Sequence, residues 1–251
     1  MPWDFALILF VLAVLVPWRG AVRIKQLLAQ PHLDTADRLA LYASTIAFQW
    51  LAAAVTAWRC YAHGLSAQHL GLAFPQPELT TATAVALALL LSANQFFSLR
   101  RLARLPAHRH GFLHQLAQKL LPHNRVETLA FVALVVTVAL CEEFLYRGFI
   151  FAVIQDVTAG SVVFALLSSS FLFALAHIYQ GRRGLLTTFV VGAVFSGARI
   201  LTGSLAPSII THLLADLVAG LAAPRLLAAA PQNTEAGASP DVRRQDPGKG
   251  R

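Results

Sequence analysis

Charged residues are scarce in this sequence, and their scarcity excludes an ordinary soluble domain. They make up 13% of the 251 residues, whereas a typical soluble domain carries about 25%. Hydrophobic residues account for 57% of the chain, and the mean hydropathy is +0.61. Several apolar runs are long enough to cross a bilayer, which indicates a membrane protein.

Cysteine is also rare, and no basic leader precedes the first apolar run. The two cysteines, Cys60 and Cys141, lie far apart and form no CxxC pair, which argues against a disulfide framework or a zinc ribbon. The stretch "MPWDFALILFVLAVLVPWRG" carries its positive charge after the apolar residues, unlike a secretory signal peptide. We therefore expect a retained first transmembrane span.

Apolar segments of roughly the length that crosses a bilayer core recur along the chain. We predict an all-α fold, a polytopic membrane helix bundle of about seven transmembrane helices. The predicted spans are residues 2–18, 39–58, 79–99, 128–151, 161–178, 184–200 and 205–223.

Lysine and arginine residues are concentrated in alternate links between these spans. Seventeen of the 20 lie in the links 19–38 and 100–127, in the "QGRRG" turn, or in the tail from residue 224, whereas the opposite links hold only Arg59. The positive-inside rule then places the N-terminus outside and the C-terminus in the cytoplasm. Because this bias accounts for the net charge of +8, we expect no nucleic-acid partner.

The composition suggests a division into three parts. Residues 1–125 hold the N-terminal spans with their basic cytoplasmic links, and residues 126–223 form a bundle that carries the polar motifs. Residues 224–251 are rich in Ala, Pro, Gly and Arg, and we predict a disordered cytoplasmic tail. The link 100–127 fits two interpretations equally, an amphipathic helix on anionic lipid or a solvated basic loop.

Ionisable residues inside the predicted spans are few and cluster in the C-terminal bundle. A charge at mid-span costs about 2.5–3.5 kcal/mol on insertion scales, and such groups normally face the bundle interior and mark a functional site. An inert clamp between helices would need only one acid and one base, which this set exceeds. The set comprises Glu142, Glu143, Arg147, His177, His212 and Asp216.

Helical spacing suggests different roles for these side chains. Glu143 and Arg147 are four residues apart and can pair on one helix face, while Glu142 points about 100° away. The simplest division makes Glu143–Arg147 a structural pair and leaves Glu142 for chemistry, although the reverse assignment stays open. His212 and Asp216 have the same spacing, as do His177 and Phe173, a residue whose simplest role is packing or lipid contact.

Three motifs in this order resemble the CAAX-protease and bacteriocin-processing (CPBP, or Abi) family of multi-pass intramembrane endopeptidases. They are "EEFLYR" followed by "GF", then "FALAH", then "HLLAD" preceded by "TGSLAPSIIT". The resemblance covers about residues 126–223 and does not extend to the first three spans. It implies that Glu142 activates water, that His177 helps to hold that water, and that Glu143 and Arg147 shape the site.

The resemblance also implies that His212 and Asp216 stabilise the oxyanion and orient the peptide. The family commonly has Asn at the last position, and an ionised Asp216 accepts hydrogen bonds but cannot donate them. Asp216 could instead orient His212 or bind a metal. Carboxylates and imidazoles suit zinc, and the family is often described as metalloproteases. No HExxH motif is present, however, and glutamate-driven hydrolysis without metal fits equally well.

The function that these observations favour is an intramembrane endopeptidase of the cell membrane that cuts near the cytoplasmic surface. Its expected partners are membrane lipid and a membrane-delivered polypeptide substrate, with a lipid-modified C-terminus as one form. A non-catalytic scaffold or bacteriocin-immunity protein and a proton-coupled transporter remain as alternatives. One conflict stands: His177 falls near the cytoplasmic end of its predicted span, so convergence requires tilt, a broken helix or a different boundary.

Overall fold

The fold is helical throughout the part of the chain that the structure describes. This computed structural model describes residues 1–104 and 112–228, without the side chains of residues 112, 113 and 224–228, and contains no strand in those ranges. We number the helices α1 (Trp3–Ala29), α2 (Thr35–Ala62), α3 (Pro77–Ala103), α4 (Phe112–Leu120), α5 (Arg125–Val157), α6 (Val162–Ala176), α7 (Gly181–Thr202) and α8 (Ala206–Ala228).

Each predicted span corresponds to a helix, which confirms the polytopic helical bundle. Six helical segments of the described chain are long and apolar enough to cross a membrane, and α6 is a shorter apolar helix. Helix α1 continues to Ala29, beyond the predicted end of the first span at residue 18. Its extension carries lysine, arginine and leucine residues, which are good helix formers beyond the apolar region.

Helix starts are fixed by side chains that cap the first turn. Asp34 begins α2 with a reciprocal capping box that involves Asp37. Asn124 accepts a hydrogen bond from the Glu127 amide at the start of α5, and Ser161 does the same for the Phe164 amide at the start of α6. These caps satisfy amide groups that have no partner within the helix.

Helix α6 is shorter than the span predicted for it. It has 15 residues, about 22 Å at 1.5 Å per residue, which is less than the roughly 30 Å of a bilayer core. His177 ends this helix and is followed by a 3₁₀ turn, Ile178–Gln180. The helix therefore ends two residues before the predicted boundary at residue 178, and a different boundary was one of the changes that convergence of His177 with the site required.

Helix α5 packs against several of the other helices. Helix α5 contacts α2, α6 and α8, while α3 packs along α8 and α6 packs along α7. Helix α1 lies against α6 and the following 3₁₀ turn. Phe149 and Ile150 of α5 are fully buried, and Phe5 of α1 packs edge-on against Phe149 at 5.2 Å.

Two further acids, at the starts of α5 and α1, are buried in the protein as well. Glu127 is fully buried and accepts hydrogen bonds from Arg38 at 2.9 Å and from Thr35 at 2.7 Å. Asp4 is buried beside Arg59 at 2.5 Å. Neighbouring helices cover these ends, and each acid there has its own cation, as buried charges require.

The link before α5 contains a helix that packs on protein. Lys119 of α4 donates to the Leu27 carbonyl at 2.9 Å, and Tyr42 donates to the Leu120 carbonyl at 2.5 Å. Helix α4 thus closes the C-terminal end of α1. Residues 105–111 of this link lie outside the described residues, and the choice between lipid-bound helix and basic loop stays open for them.

The last helix continues past its predicted end at residue 223. Helix α8 runs to Ala228, because the leucine and alanine residues that follow Pro224 favour helix. The rest of the predicted disordered tail, residues 229–251, lies outside the described residues.

Candidate active site

Glu143 is the centre of a buried ionic cluster that joins α5 to α8. Its Oε1 atom accepts hydrogen bonds from Arg147 Nη1 at 3.0 Å and from His212 Nδ1 at 2.9 Å. The side chains of Glu143 and Arg147 are both 0% exposed. The predicted Glu143–Arg147 pair is therefore present, and Glu143 also anchors the histidine of the third motif.

Arg147 is enclosed by aromatic rings from two other helices. Its guanidinium carbon lies 3.9 Å from the centre of the Phe173 ring and 5.4 Å from that of Phe195. A guanidinium over an aromatic face gains about 2 kcal/mol when the pair is desolvated. Phe173 is buried and therefore packs in the core, which decides between the two roles expected for it.

His212 lies between two carboxylates. Its Nδ1 donates to Glu143, and its Nε2 lies 3.5 Å from Asp216 Oδ2. The first contact is a normal hydrogen bond, whereas the second is long. Asp216 is 42% exposed at the side chain, so this end of the cluster is open while the Glu143 end is closed.

Glu142 accepts a hydrogen bond from a residue outside the predicted motif region. Gln49 of α2 donates from Nε2 to Glu142 Oε1 at 2.9 Å. The other oxygen, Oε2, is buried and accepts no hydrogen bond from the described residues. The two neighbouring glutamates therefore differ: Glu143 is paired with positive charge, and Glu142 is oriented by a neutral amide.

His177 contacts the ionic cluster only indirectly, by way of Phe173. Its Nδ1 lies 2.9 Å from the Phe173 carbonyl, and since a carbonyl only accepts, Nδ1 carries the hydrogen. In the neutral imidazole, Nε2 then holds a lone pair that can accept. The Phe173 ring lies 4.8 Å from the His177 ring and 6.2 Å from the His212 ring, so one phenyl group separates the two histidines.

Helix α5 departs from regular α-helix at the site and carries a glycine there. Residues Glu143–Ile150 of α5 form a π-helix, an irregularity frequent at functional sites. Gly148 lies against the links that precede α3 and α8, where an added Cβ would be 3.2 Å from the Leu70 carbonyl and 3.5 Å from Leu205. The absence of a side chain lets these two links approach α5 closely.

The site residues do not form a site typical of zinc. Among the described residues, no group of three or more His, Cys, Asp and Glu side chains is arranged to hold a metal ion. The carboxylates of Glu143 and Asp216 lie beside Nδ1 and Nε2 of His212, respectively, and the Phe173 carbonyl accepts a hydrogen bond from Nδ1 of His177. The side chains therefore do not fit a three-ligand zinc centre.

Direct contacts unite most of the residues expected from the sequence. Glu143, Arg147, His212 and Asp216 form one connected chain of contacts, and His177 joins it by way of Phe173. Gln49 was not among the site residues expected from the sequence, because its side chain is not ionisable. The signal was present, since Gln49 is a polar residue within the apolar run "IAFQWLAAAV".

Six of the described helices are long enough to cross a membrane, and the C-terminal helices enclose a buried cluster of carboxylate, guanidinium and imidazole groups. These features define a polytopic membrane protein with a polar site inside its C-terminal helices. Residues 124–218 match the family model described as "Type II CAAX prenyl endopeptidase Rce1-like". The match spans less than half of the chain but includes all six predicted site residues, and it confirms the resemblance over this segment.

The family match supports a CAAX-type intramembrane endopeptidase in general, and a protease acts on a polypeptide substrate, here in a membrane context. No curated protein and no solved structure gives a significant match.

Proposed function

We propose that this protein hydrolyses peptide bonds of membrane-associated polypeptides, with Glu142 as the general base that activates water. The supporting observation is the contrast between the adjacent glutamates. Oε1 of Glu143 is committed to the positively charged Arg147 and to His212, whereas Oε1 of Glu142 accepts only from the neutral Gln49 amide among the described residues; Oε2 of each glutamate is buried without a hydrogen bond from those residues. A base needs a free acceptor atom within reach of the proton it removes, and Oε2 of Glu142 supplies one.

The reaction needs only groups of this chain and one water molecule. Glu142 Oε2 takes a proton from water, and the oxygen attacks the carbonyl carbon of the peptide bond. The tetrahedral intermediate then collapses, and Glu142 returns the proton to the leaving amine. Nε2 of His177, which holds a lone pair when Nδ1 donates to the Phe173 carbonyl, accepts a hydrogen bond from the same water and orients it.

His212 is the proposed donor to the oxyanion. Its Nδ1 is fixed by Glu143, so the ring is held in one orientation. In the imidazolium form, which the two neighbouring carboxylates favour, Nε2 also carries a hydrogen. Because its contact with Asp216 is long at 3.5 Å, this hydrogen is available to the developing negative charge. Asp216 then acts by orienting His212, a role that an acceptor-only carboxylate can fill.

The substrate that we propose is a membrane-delivered polypeptide, including one lipid-modified at its C-terminus, and the membrane is the cell membrane. A cavity of about 920 Å³ between α1 and α2 supports access for an apolar chain. Its walls include Val11, Leu15 and Phe48, and Gln49 connects it to Glu142. Arg19 and Arg23 also line it on the side predicted to be cytoplasmic, where the cut would occur.

Substrate trapping tests this function. The full chain and its Glu142→Gln variant, each in proteoliposomes, are incubated with a membrane extract, and mass spectrometry identifies products and retained polypeptides. We expect new peptide termini only with the unmodified chain and intact substrate retained by the variant. A biological effect that survives Glu142→Gln would instead indicate a scaffold or immunity protein. Proton or solute movement across sealed vesicles without cleavage would indicate a transporter.

A further inference from the structure

Gln49 belongs to a part of the chain that no motif covers. It lies in the middle of α2, outside the segment 124–218 that matches the family model. Its amide nitrogen donates to Glu142 Oε1 at 2.9 Å, across 93 positions of sequence. An amide group in an apolar span needs a hydrogen-bond partner, and this one has a carboxylate that the site already uses.

The type of donor matters for the chemistry of Glu142. Arg147 supplies a positive charge to Glu143, which keeps that carboxylate paired. Gln49 is neutral, so it fixes the direction of the Glu142 carboxylate without providing a countercharge. It also occupies Oε1 alone, which leaves Oε2 as the atom that receives the proton from water.

We infer that Gln49 is a positioning residue for the proposed base and that α2 thereby contributes to the active site. The inference rests on the proposed function, because Glu142 is the group that Gln49 orients. The same side chain lines the cavity between α1 and α2, so Gln49 forms the boundary between that cavity and the carboxylate. A misplacement of about 1 Å at a reacting group can cost about a hundredfold in rate.

The next residue along α2 provides a matched control. Trp50 donates from Nε1 to Thr137 Oγ1 of α5 at 3.2 Å. This hydrogen bond joins the same two helices as the Gln49–Glu142 bond, but it ends five positions away from Glu142. Trp50→Phe removes it and leaves the carboxylate untouched, so it reports the cost of losing a contact between α2 and α5.

The test compares cleavage by the full chain in proteoliposomes with cleavage by its variants, on a peptide substrate found by trapping. Gln49→Met keeps the side-chain length and loses the donor, and Gln49→Glu keeps the shape but adds a second carboxyl group that competes with Glu142 for a proton. We expect each to lower kcat roughly ten- to a hundredfold, with KM changed by less than about twofold because the substrate contacts persist. Trp50→Phe should retain the kcat of the unmodified chain.

Thermal unfolding in detergent separates positioning from a structural role. If Gln49 only stabilised the fold, the loss of kcat would follow the loss of Tm and would be matched by Trp50→Phe at equal Tm. Unchanged kcat in Gln49→Met, or an equal loss in Trp50→Phe, would overturn the inference while the proposed function stood. If Glu142→Gln cleaved as fast as the unmodified chain, the proposed function itself would fail.

Discussion

Replacing Glu143 by Gln tests whether the central ion pair shapes the site or performs chemistry. The substitution keeps the size of the side chain and removes its charge, which leaves the Arg147 cation without its partner. Both side chains are 0% exposed, so water cannot compensate for the loss. Removing one partner of a buried ion pair costs about 3–5 kcal/mol, and we expect the free energy of unfolding of Glu143→Gln to fall by that amount.

A second substitution should restore most of this stability. In Glu143→Gln/Arg147→Met, no charge remains at the pair, and an apolar side chain occupies the space beside Phe173 and Phe195. The lost stacking of Arg147 on Phe173, at 3.9 Å, costs about 2 kcal/mol. The double variant should therefore be more stable than the Glu143→Gln variant by roughly 1–3 kcal/mol.

Activity distinguishes shape from chemistry in the same variants. In the double variant, the amide oxygen introduced by Glu143→Gln can still accept from His212 Nδ1, and the change from a charged to a neutral acceptor costs about 1–1.5 kcal/mol. This corresponds to about a tenfold loss of kcat. Equilibrium unfolding in detergent and initial cleavage rates in proteoliposomes measure the two quantities, with Glu78→Gln as the exposed-acid control.

Two outcomes would refute this reasoning. A Glu143→Gln protein as stable as Glu78→Gln would show that Arg147 is not a buried cation that depends on Glu143. A double variant that regains stability but is as inactive as Glu142→Gln would show that Glu143 takes part in the chemistry, and the division between the two glutamates would then be reversed.

Three other features of the site lead to further predictions. His177→Gln should lower kcat by about 10²–10⁴-fold with little change in Tm, because the Nδ1 bond is to the Phe173 carbonyl of its own helix; a parallel loss of Tm would contradict the water-holding role. Gly192→Ala should lower the free energy of unfolding by about 1–3 kcal/mol, since a Cβ would lie 3.1 Å from Arg147 Nη2 and 3.2 Å from Ser170 Cα. Gly197→Ala on the same helix is the control, because its Cβ meets no atom within 4 Å and should raise that free energy by up to about 1 kcal/mol. Equal effects of the two substitutions would disprove close packing of α6 on α7. A zinc chelator such as phenanthroline should leave the cleavage rate unchanged, because no three-ligand cluster exists among the described residues; inhibition reversed by added zinc would contradict this.

Contacts within one helix were predictable from the sequence because helical spacing determines them. Glu143 with Arg147 and His212 with Asp216 are both four residues apart, and each pair lies within ion-pair distance. Ionisable groups are expensive in an apolar span, so their number alone indicated a site. The spacing did not reveal that Glu143 also binds His212, since that contact depends on how α8 packs against α5.

The features that the sequence did not predict depend on packing between helices. Gln49 is one neutral residue among apolar neighbours, and only the contact of α2 with α5 shows that it faces Glu142. The end of α6 was placed two residues late, because "FALAHIYQG" contains no helix breaker before Gly181, whereas the helix ends at Ala176 and a 3₁₀ turn follows. The burial of Asp4 and Glu127 depends on Arg59 and Arg38, both contributed by α2.

The role of Glu142 is tested most directly by single-turnover cleavage of one membrane-anchored peptide, with the unmodified chain and Glu142→Gln reconstituted at equal density. If Glu142 removes the proton from the attacking water, the variant should bind the peptide with unchanged affinity and cleave it more than about a hundredfold more slowly. Cleavage by Glu142→Gln at the rate of the unmodified chain would contradict this account.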